Sequence, residues 1–76
     1  MKIVIIKWVD STGVTSGWEF TEDIKPLKPA ICTSVGFLID DAEDYKTIVQ
    51  TDGEDQILGR LTIPVCAIKE IKEVKQ

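Results

Sequence analysis

The last third of the chain contains two apolar segments joined by a short turn that includes a proline. The first segment covers residues 58–63, Pro64 follows it, and a second apolar segment resumes about one turn later. Proline has no backbone N–H to give to a sheet and therefore interrupts a continuous strand. Small five-stranded barrels end in this way, with a fourth strand, one 3₁₀ turn and a short closing strand. The segment therefore predicts an all-β fold, a five-stranded small barrel with a 3₁₀ turn before the last strand.

Alternation of apolar residues predicts four strands before the closing turn. In strand two the odd positions carry Ile, Thr, Val, Phe and Ile, so the odd face is expected to be the core. Gly36 would then face away from the core and mark a sharp bend. Between strands one and two, Thr21 is predicted to cap about one helical turn, which Pro26 and Pro29 end. The four predicted strands span residues 2–9, 31–39, 45–50 and 57–63.

The end of the chain has two structural interpretations. Ile68, Ile71 and Val74 recur every third residue, which a short helix opened by Pro64 would also use. We predict a strand over residues 68–75, because a meander without its closing strand would leave an open edge. All 76 residues are expected to form a single domain.

Strand one is apolar on both of its faces. Ile3 and Ile5 point to one side of it, whereas Val4, Ile6 and Trp8 point to the other. A chain of this length buries only about 60% of the surface that its unfolded form exposes, and it has little material with which to cover a second apolar face. We therefore expect a homo-oligomer in which Trp8 contacts another subunit.

The net charge of −4 is concentrated in the middle of the chain, where residues 29–59 contain one lysine and seven acidic residues. Lysine and arginine supply most of the affinity for a phosphate backbone, so we expect no binding to DNA. No apolar stretch is long enough to cross a membrane, and Lys7 and Asp10 interrupt the only segment with the character of a signal peptide. These features predict a cytoplasmic protein that does not bind membranes.

The composition argues against catalysis and against metal binding. The chain has no histidine, which is the commonest general base and the usual partner of serine or cysteine nucleophiles. Cys32 and Cys66 are interpreted as reduced, mostly buried thiols, with a disulfide between them as the alternative. The acidic clusters at residues 40–44 and 52–55 lack the spacing of an EF-hand loop and are interpreted as charged hairpin turns. We predict a non-enzymatic protein without a cofactor or a metal ion.

A binding site is predicted around the loop between strands one and two. This loop is rich in glycine and hydroxyl residues, which suits either phosphate binding or a flexible connector, and it lacks the Gly-Lys-Ser/Thr ending of a P-loop. Aromatic side chains flank the loop and either fill the core or line a groove for a peptide, a base or a compact ligand. The candidate binding residues are Trp8, Ser11, Gly13, Ser16, Gly17, Trp18, Phe20, Tyr45 and Arg60.

The order of the predicted strands and the closing segment at residues 63–68 resemble SH3-like and Sm-like small barrels. Nearly the whole chain is also similar to small uncharacterised proteins of bacteriophages and prophages. That second resemblance implies the cytoplasm of an infected bacterium as the setting. The motifs that carry it are Trp8-Val9-Asp10-Ser11, Gly17-Trp18, Ser34-Val35-Gly36 and Ile63-Pro64.

Together these features favour a non-enzymatic, phage-type binding module, a small oligomeric β-barrel that contacts a host or phage protein. One alternative is a sponge that sequesters a nucleotide-like signal between subunits, with the loop at residues 13–17 and Arg60 contacting phosphate. The other alternative is Sm-like binding of single-stranded RNA, with bases stacked on aromatic side chains beside a basic rim of Arg60, Lys69 and Lys72.

Overall fold

The computed structural model describes residues 1–75, which form a mainly β structure with two short 3₁₀ turns. Strands occupy the segments whose alternating apolar residues predicted them: β2, β3 and β4 extend slightly beyond their predicted ranges, β1 is shifted by one residue, and β5 ends one residue earlier than predicted. In chain order the elements are β1 (Ile3–Asp10), η1 (Thr21–Asp23), β2 (Ala30–Asp41), β3 (Tyr45–Asp52), β4 (Ile57–Pro64), η2 (Val65–Ala67) and β5 (Ile68–Val74).

The strands form one antiparallel sheet in the order β4-β3-β2-β1-β5. The predicted 3₁₀ turn before the last strand is confirmed as η2, and the end of the chain is a strand rather than a helix. Because β4 and β5 lie at opposite ends of the strand order, backbone pairing within residues 1–75 does not close the sheet into a barrel. The first 3₁₀ turn is preceded by Phe20 at its N-cap position, so the prediction of Thr21 as its cap is wrong.

The main core cluster lies on one side of the sheet and is small; Val49 is also fully buried, but it pairs with Phe37 and lies on the other side. Val4, Ile6, Ile48 and Ile63 form its buried centre. Half-buried apolar side chains then surround this centre, namely Trp8, Leu38, Ala67 and Ile68. A core of this size agrees with the limited burial expected of a short chain.

The prediction that the odd positions of β2 face the core is wrong. Val4 pairs with Gly36 and Ile6 pairs with Ser34. Directly opposite residues of an antiparallel pair point to the same side, so the even positions of β2 share the core side with the buried residues of β1. The physical reason is one of space: small residues on the even face allow the neighbouring backbone and side chains to approach, whereas the larger odd residues stay outside.

Gly36 shows how closely these strands pack. A Cβ atom built at Gly36 would lie 2.7 Å from the Val49 carbonyl oxygen and 3.1 Å from the Ile48 Cβ atom. Gly36 is buried and faces the core, so the prediction that it faces away is wrong. Its lack of a side chain permits a close approach between β2 and β3.

The molecule is elongated for its length. Its extents are 54 × 24 × 21 Å and its radius of gyration is 16.4 Å. A compact domain of the same number of residues has a radius of gyration of about 11 Å. Two parts of the chain lie outside the small core: the long connection between β1 and β2, and the far end of the β3–β4 hairpin, where residues 50–62 are all exposed.

Candidate functional site

Residues 11–29 connect β1 to β2 and form an extended segment, which we call the arm. Apart from the 3₁₀ turn at Thr21–Asp23 it has no regular secondary structure, and all of its residues are exposed. The hydroxyl of Thr12 donates a hydrogen bond to the carbonyl oxygen of Lys28 at 2.8 Å and joins the two ends of the arm. The side chain of Asp10 accepts a hydrogen bond from the backbone N–H of Ser11 at the end of β1.

Apolar side chains along the arm have no cover from the rest of the chain. Trp18 is fully exposed and Phe20 is 77% exposed. Val14, Ile24 and Leu27 are exposed as well. Single apolar residues at a surface are ordinary, but several on one protruding segment form the kind of surface that marks a protein–protein contact.

A second apolar surface lies on the side of the sheet opposite the core, beside the base of the arm. Pairing aligns Ile5 with Val35 and Val9 with Ile31, which places these side chains on the same side. Ile31 is 68% exposed and Val35 is 59% exposed. We call this surface the outer face. It comprises the exposed Ile31 and Val35 and the half-buried Ile3, Ile5, Val9 and Phe37, and the Lys7–Thr33 pair interrupts it between Ile5 and Val9.

The structure separates the predicted aromatic residues into two environments. Trp8 is half-buried and packs against the core, and its indole N–H donates a hydrogen bond to the Ser34 hydroxyl at 3.0 Å. It lies on the core side of β1, and the other apolar side of this strand carries the half-buried Ile3 and Ile5. Trp18 and Phe20 lie on the arm and do not fill the core.

The remaining predicted residues do not converge on one place. Ser11, Gly13, Ser16 and Gly17 lie on the arm, where Gly13 and Gly17 have positive φ angles of 125° and 81° that suit glycine. Arg60 lies on β4, which β3 and β2 separate from β1 in the sheet. Within one chain, two strands therefore separate Arg60 from β1, the strand that the loop at residues 13–17 follows.

Tyr45 begins β3 beside the acidic turn between β2 and β3. A hydrogen bond with Asp40, together with the negative charge of that carboxylate, raises the pKa of the Tyr45 hydroxyl. On the same hairpin, the Lys46 ammonium donates hydrogen bonds to the Asp41 carboxylate and to the Ala42 carbonyl oxygen. The hydrogen bond from Lys46 and the positive charge of Lys46 lower the pKa of Asp41. These contacts order the hairpin, as expected for a charged turn.

The cysteines and the acidic residues give no sign of a metal or disulfide site in the part of the chain that is described. Cys32 and Cys66 are free, the first half-buried and the second exposed. The expectation that both thiols are mostly buried is therefore wrong for Cys66, which lies in the η2 turn. Over residues 1–75, no group of three or more histidine, cysteine, aspartate or glutamate residues is arranged to hold a metal ion.

A concave surface lies at the far end of the sheet. It has a volume of about 330 Å³ and is lined by Thr51, Gly53, Gln56, Ile57 and Leu58 at the turn between β3 and β4. Sequence reasoning did not predict this concavity, nor the contribution of Ile24, Leu27, Ile31 and Val35 to an exposed surface. For Ile24 and Leu27 the sequence signal was the presence of large apolar residues in a segment whose prolines exclude regular structure.

With this geometry established, we compared the chain with known proteins. No protein-family model, curated protein or solved structure matches it. The resemblances to small barrels and to phage proteins therefore stay predictions from the sequence. None of the helical segments within residues 1–75 has the length and hydropathy that a membrane span requires.

Proposed function

We propose that this protein is a non-enzymatic binding module that contacts another protein through its arm. The observation that carries the proposal is the full exposure of Trp18, together with the exposure of Phe20, on a segment that protrudes from a small core. Tryptophan is the residue type most enriched among those that dominate binding energy at protein interfaces. An apolar arm whose two ends are joined by the Thr12–Lys28 hydrogen bond suits such a contact.

The size of the surface supports a contact of useful affinity. A buried aromatic side chain removes about 150–250 Å² from water, and each Å² of apolar surface contributes about 25 cal/mol. Trp18 and Phe20 together would contribute on the order of 8–12 kcal/mol before the entropic cost of association is subtracted. Two aromatic anchors are therefore enough to make the arm the dominant part of an interface.

The proposal includes a small barrel as the body that carries the arm. The strand order is compatible with it, because the edge strands β4 and β5 are joined directly by the three-residue turn η2. The resemblance of the sequence to phage and prophage proteins favours a host or phage protein as the partner.

The test is site-specific photo-crosslinking with the purified protein and with a bacterial lysate. A photoreactive phenylalanine analogue replaces Glu19 on the arm, and in the control it replaces Glu43 at the exposed turn between β2 and β3. We expect protein adducts from position 19 that disappear when Trp18→Ser and Phe20→Ser are introduced, and none from position 43. If position 19 yields no adduct that depends on Trp18 and Phe20 in either preparation, the proposed function is wrong.

A further inference from the structure

We propose that the partner of the arm is the outer face of a second copy of this chain, so that two copies exchange arms reciprocally. This inference rests on the proposed function, because it names the protein that the arm contacts. Each copy then supplies one arm and one outer face, and a two-fold axis generates two identical contacts, as in most homodimers.

The exposed area of the chain is the first argument for a second copy. The surface of the chain measures 6366 Å² for a mass of 8.5 kDa. A compact monomer of this mass exposes about 4,700 Å², which leaves an excess of about 1,700 Å² per chain. If two copies buried this excess against each other, the interface would reach about 3,400 Å², within the range of about 2,000–5,000 Å² found for obligate homodimers.

The arm and the outer face are also chemically suited to each other, because both expose apolar side chains. The arm presents Trp18 and Phe20, and the outer face presents Ile31 and Val35 across a paired region of β1 and β2. In a single copy these surfaces do not cover each other, since Trp18 is fully exposed and Val35 is 59% exposed. Aromatic side chains bury a large apolar area at interfaces, and Ile31 and Val35 offer exposed apolar side chains, so each surface is a suitable partner for the other.

The charges beside the two surfaces have opposite signs. On the outer side of the sheet, Lys7 and Lys72 both pair with Glu70, at 3.9 Å and 3.4 Å, which leaves one positive charge in excess. The arm carries three acidic residues against two lysines, and Glu19 lies between the two aromatic anchors. Such complementarity favours the docked orientation and speeds association rather than adding much affinity.

The test measures the solution mass by light scattering over a range of protein concentrations. The unmodified protein is expected at twice the chain mass of 8.5 kDa. An arm variant carries Trp18→Ser and Phe20→Ser, and a face variant carries Ile31→Glu and Val35→Glu. Each is expected to raise the dimer dissociation constant by about 30-fold or more, because the altered residues are the central anchors of the interface.

All of the altered side chains are exposed, so the strand content of each variant is expected to match the unmodified protein in circular dichroism. The matched control replaces an exposed apolar pair at the far end of the sheet, with Ile57→Ser and Leu58→Ser, and is expected to remain dimeric.

Mixing the two variants separates arm-to-face contact from any other symmetric arrangement. The arm variant retains an intact outer face and the face variant retains an intact arm, so a mixed dimer regains one of the two contacts. We expect the mixture to form more dimer than either variant alone at the same total concentration. Loss of the dimer in both variants without recovery on mixing would mean that arm-to-arm and face-to-face contacts hold the dimer together, and it would overturn the inference.

The inference and the proposed function can fail separately. A monomer at all concentrations overturns the exchange of arms, as does a dimer that the arm variant or the face variant leaves unchanged. In either case a Trp18-dependent adduct from position 19 with a different protein would still support the proposed function. Absence of any such adduct would overturn both.

Discussion

Gly36→Ala is the substitution that most directly tests the close approach of β2 to β3. The added methyl group would lie 2.7 Å from the Val49 carbonyl oxygen, whereas ordinary contact begins near 3.4 Å, so one strand must move by 0.7 Å. Val49 is poorly placed to yield, because β3 pairs with β2 on one side and with β4 on the other. The methyl group would also press on Ile48, which is part of the buried core.

Overpacking of this kind destabilises a protein by about 1–3 kcal/mol. For a domain of this size, a loss of about 2 kcal/mol lowers the midpoint of thermal unfolding by about 8–16 °C. Urea unfolding followed by tryptophan fluorescence measures the free energy directly, and thermal unfolding followed by circular dichroism provides the second value. Both must be compared at one protein concentration, since association would couple stability to concentration.

The control for this substitution is Thr51→Ala, at an exposed position of β3 that lies outside the outer face and the arm. It removes a side chain without creating a close contact and is expected to change the free energy of unfolding by less than about 1 kcal/mol. If Gly36→Ala unfolded within about 0.5 kcal/mol of the unmodified protein, the argument that the glycine permits the close approach would be refuted.

Three further measurements test the core and the charged hairpin. Ile63→Ala, at a fully buried position, is expected to destabilise the fold by about 2–5 kcal/mol in urea unfolding, whereas Ile57→Ala, at an exposed position, should have a much smaller effect. Tyr45 is the sole tyrosine of the chain, so its ionisation can be followed by ultraviolet absorbance. The pKa of Tyr45 should lie above 10.0 and should fall when Asp40 is replaced in Asp40→Asn. If Asp40→Asn left the titration of Tyr45 unchanged, the hydrogen bond with Asp40 would be contradicted. The lowered pKa of Asp41 means that its ion pair stabilises the fold above the ordinary pKa of 3.8 and that this contribution is lost as the pH falls through the folded-state value. Asp41→Asn should therefore flatten the acid limb of the stability profile, and an unaltered limb would show that the pair has no role.

Local sequence patterns were sufficient to predict the strands and turns of the fold. Strand alternation, the acidic turns and the proline at the closing turn indicate five strands and a 3₁₀ turn, because these features depend on neighbours within a few residues. The same patterns indicated that β1 is apolar on both faces, and the structure has buried residues on one of them and half-buried residues on the other.

Local sequence patterns did not predict which face of β2 packs against the core. Its odd positions are the more hydrophobic, and alternation alone assigns the more hydrophobic face to the core. Which face is buried depends on the register with β1 and on the space left by β3, and Gly36 provides that space. A period of two identifies two faces, but long-range packing selects between them.

In the arm, too, local sequence and tertiary packing determine different properties. Its composition indicated a connector without regular structure, because the prolines and glycines act on the backbone locally. Whether Trp18 and Phe20 fold back onto a core depends on the free volume of that core, which Trp8, Ile6 and their neighbours already occupy. The amino-acid sequence thus determined the strands, their turns and the surplus of apolar residues. Tertiary packing decided which of those residues remain uncovered, since burial is a property of the space between strands and not of any one strand.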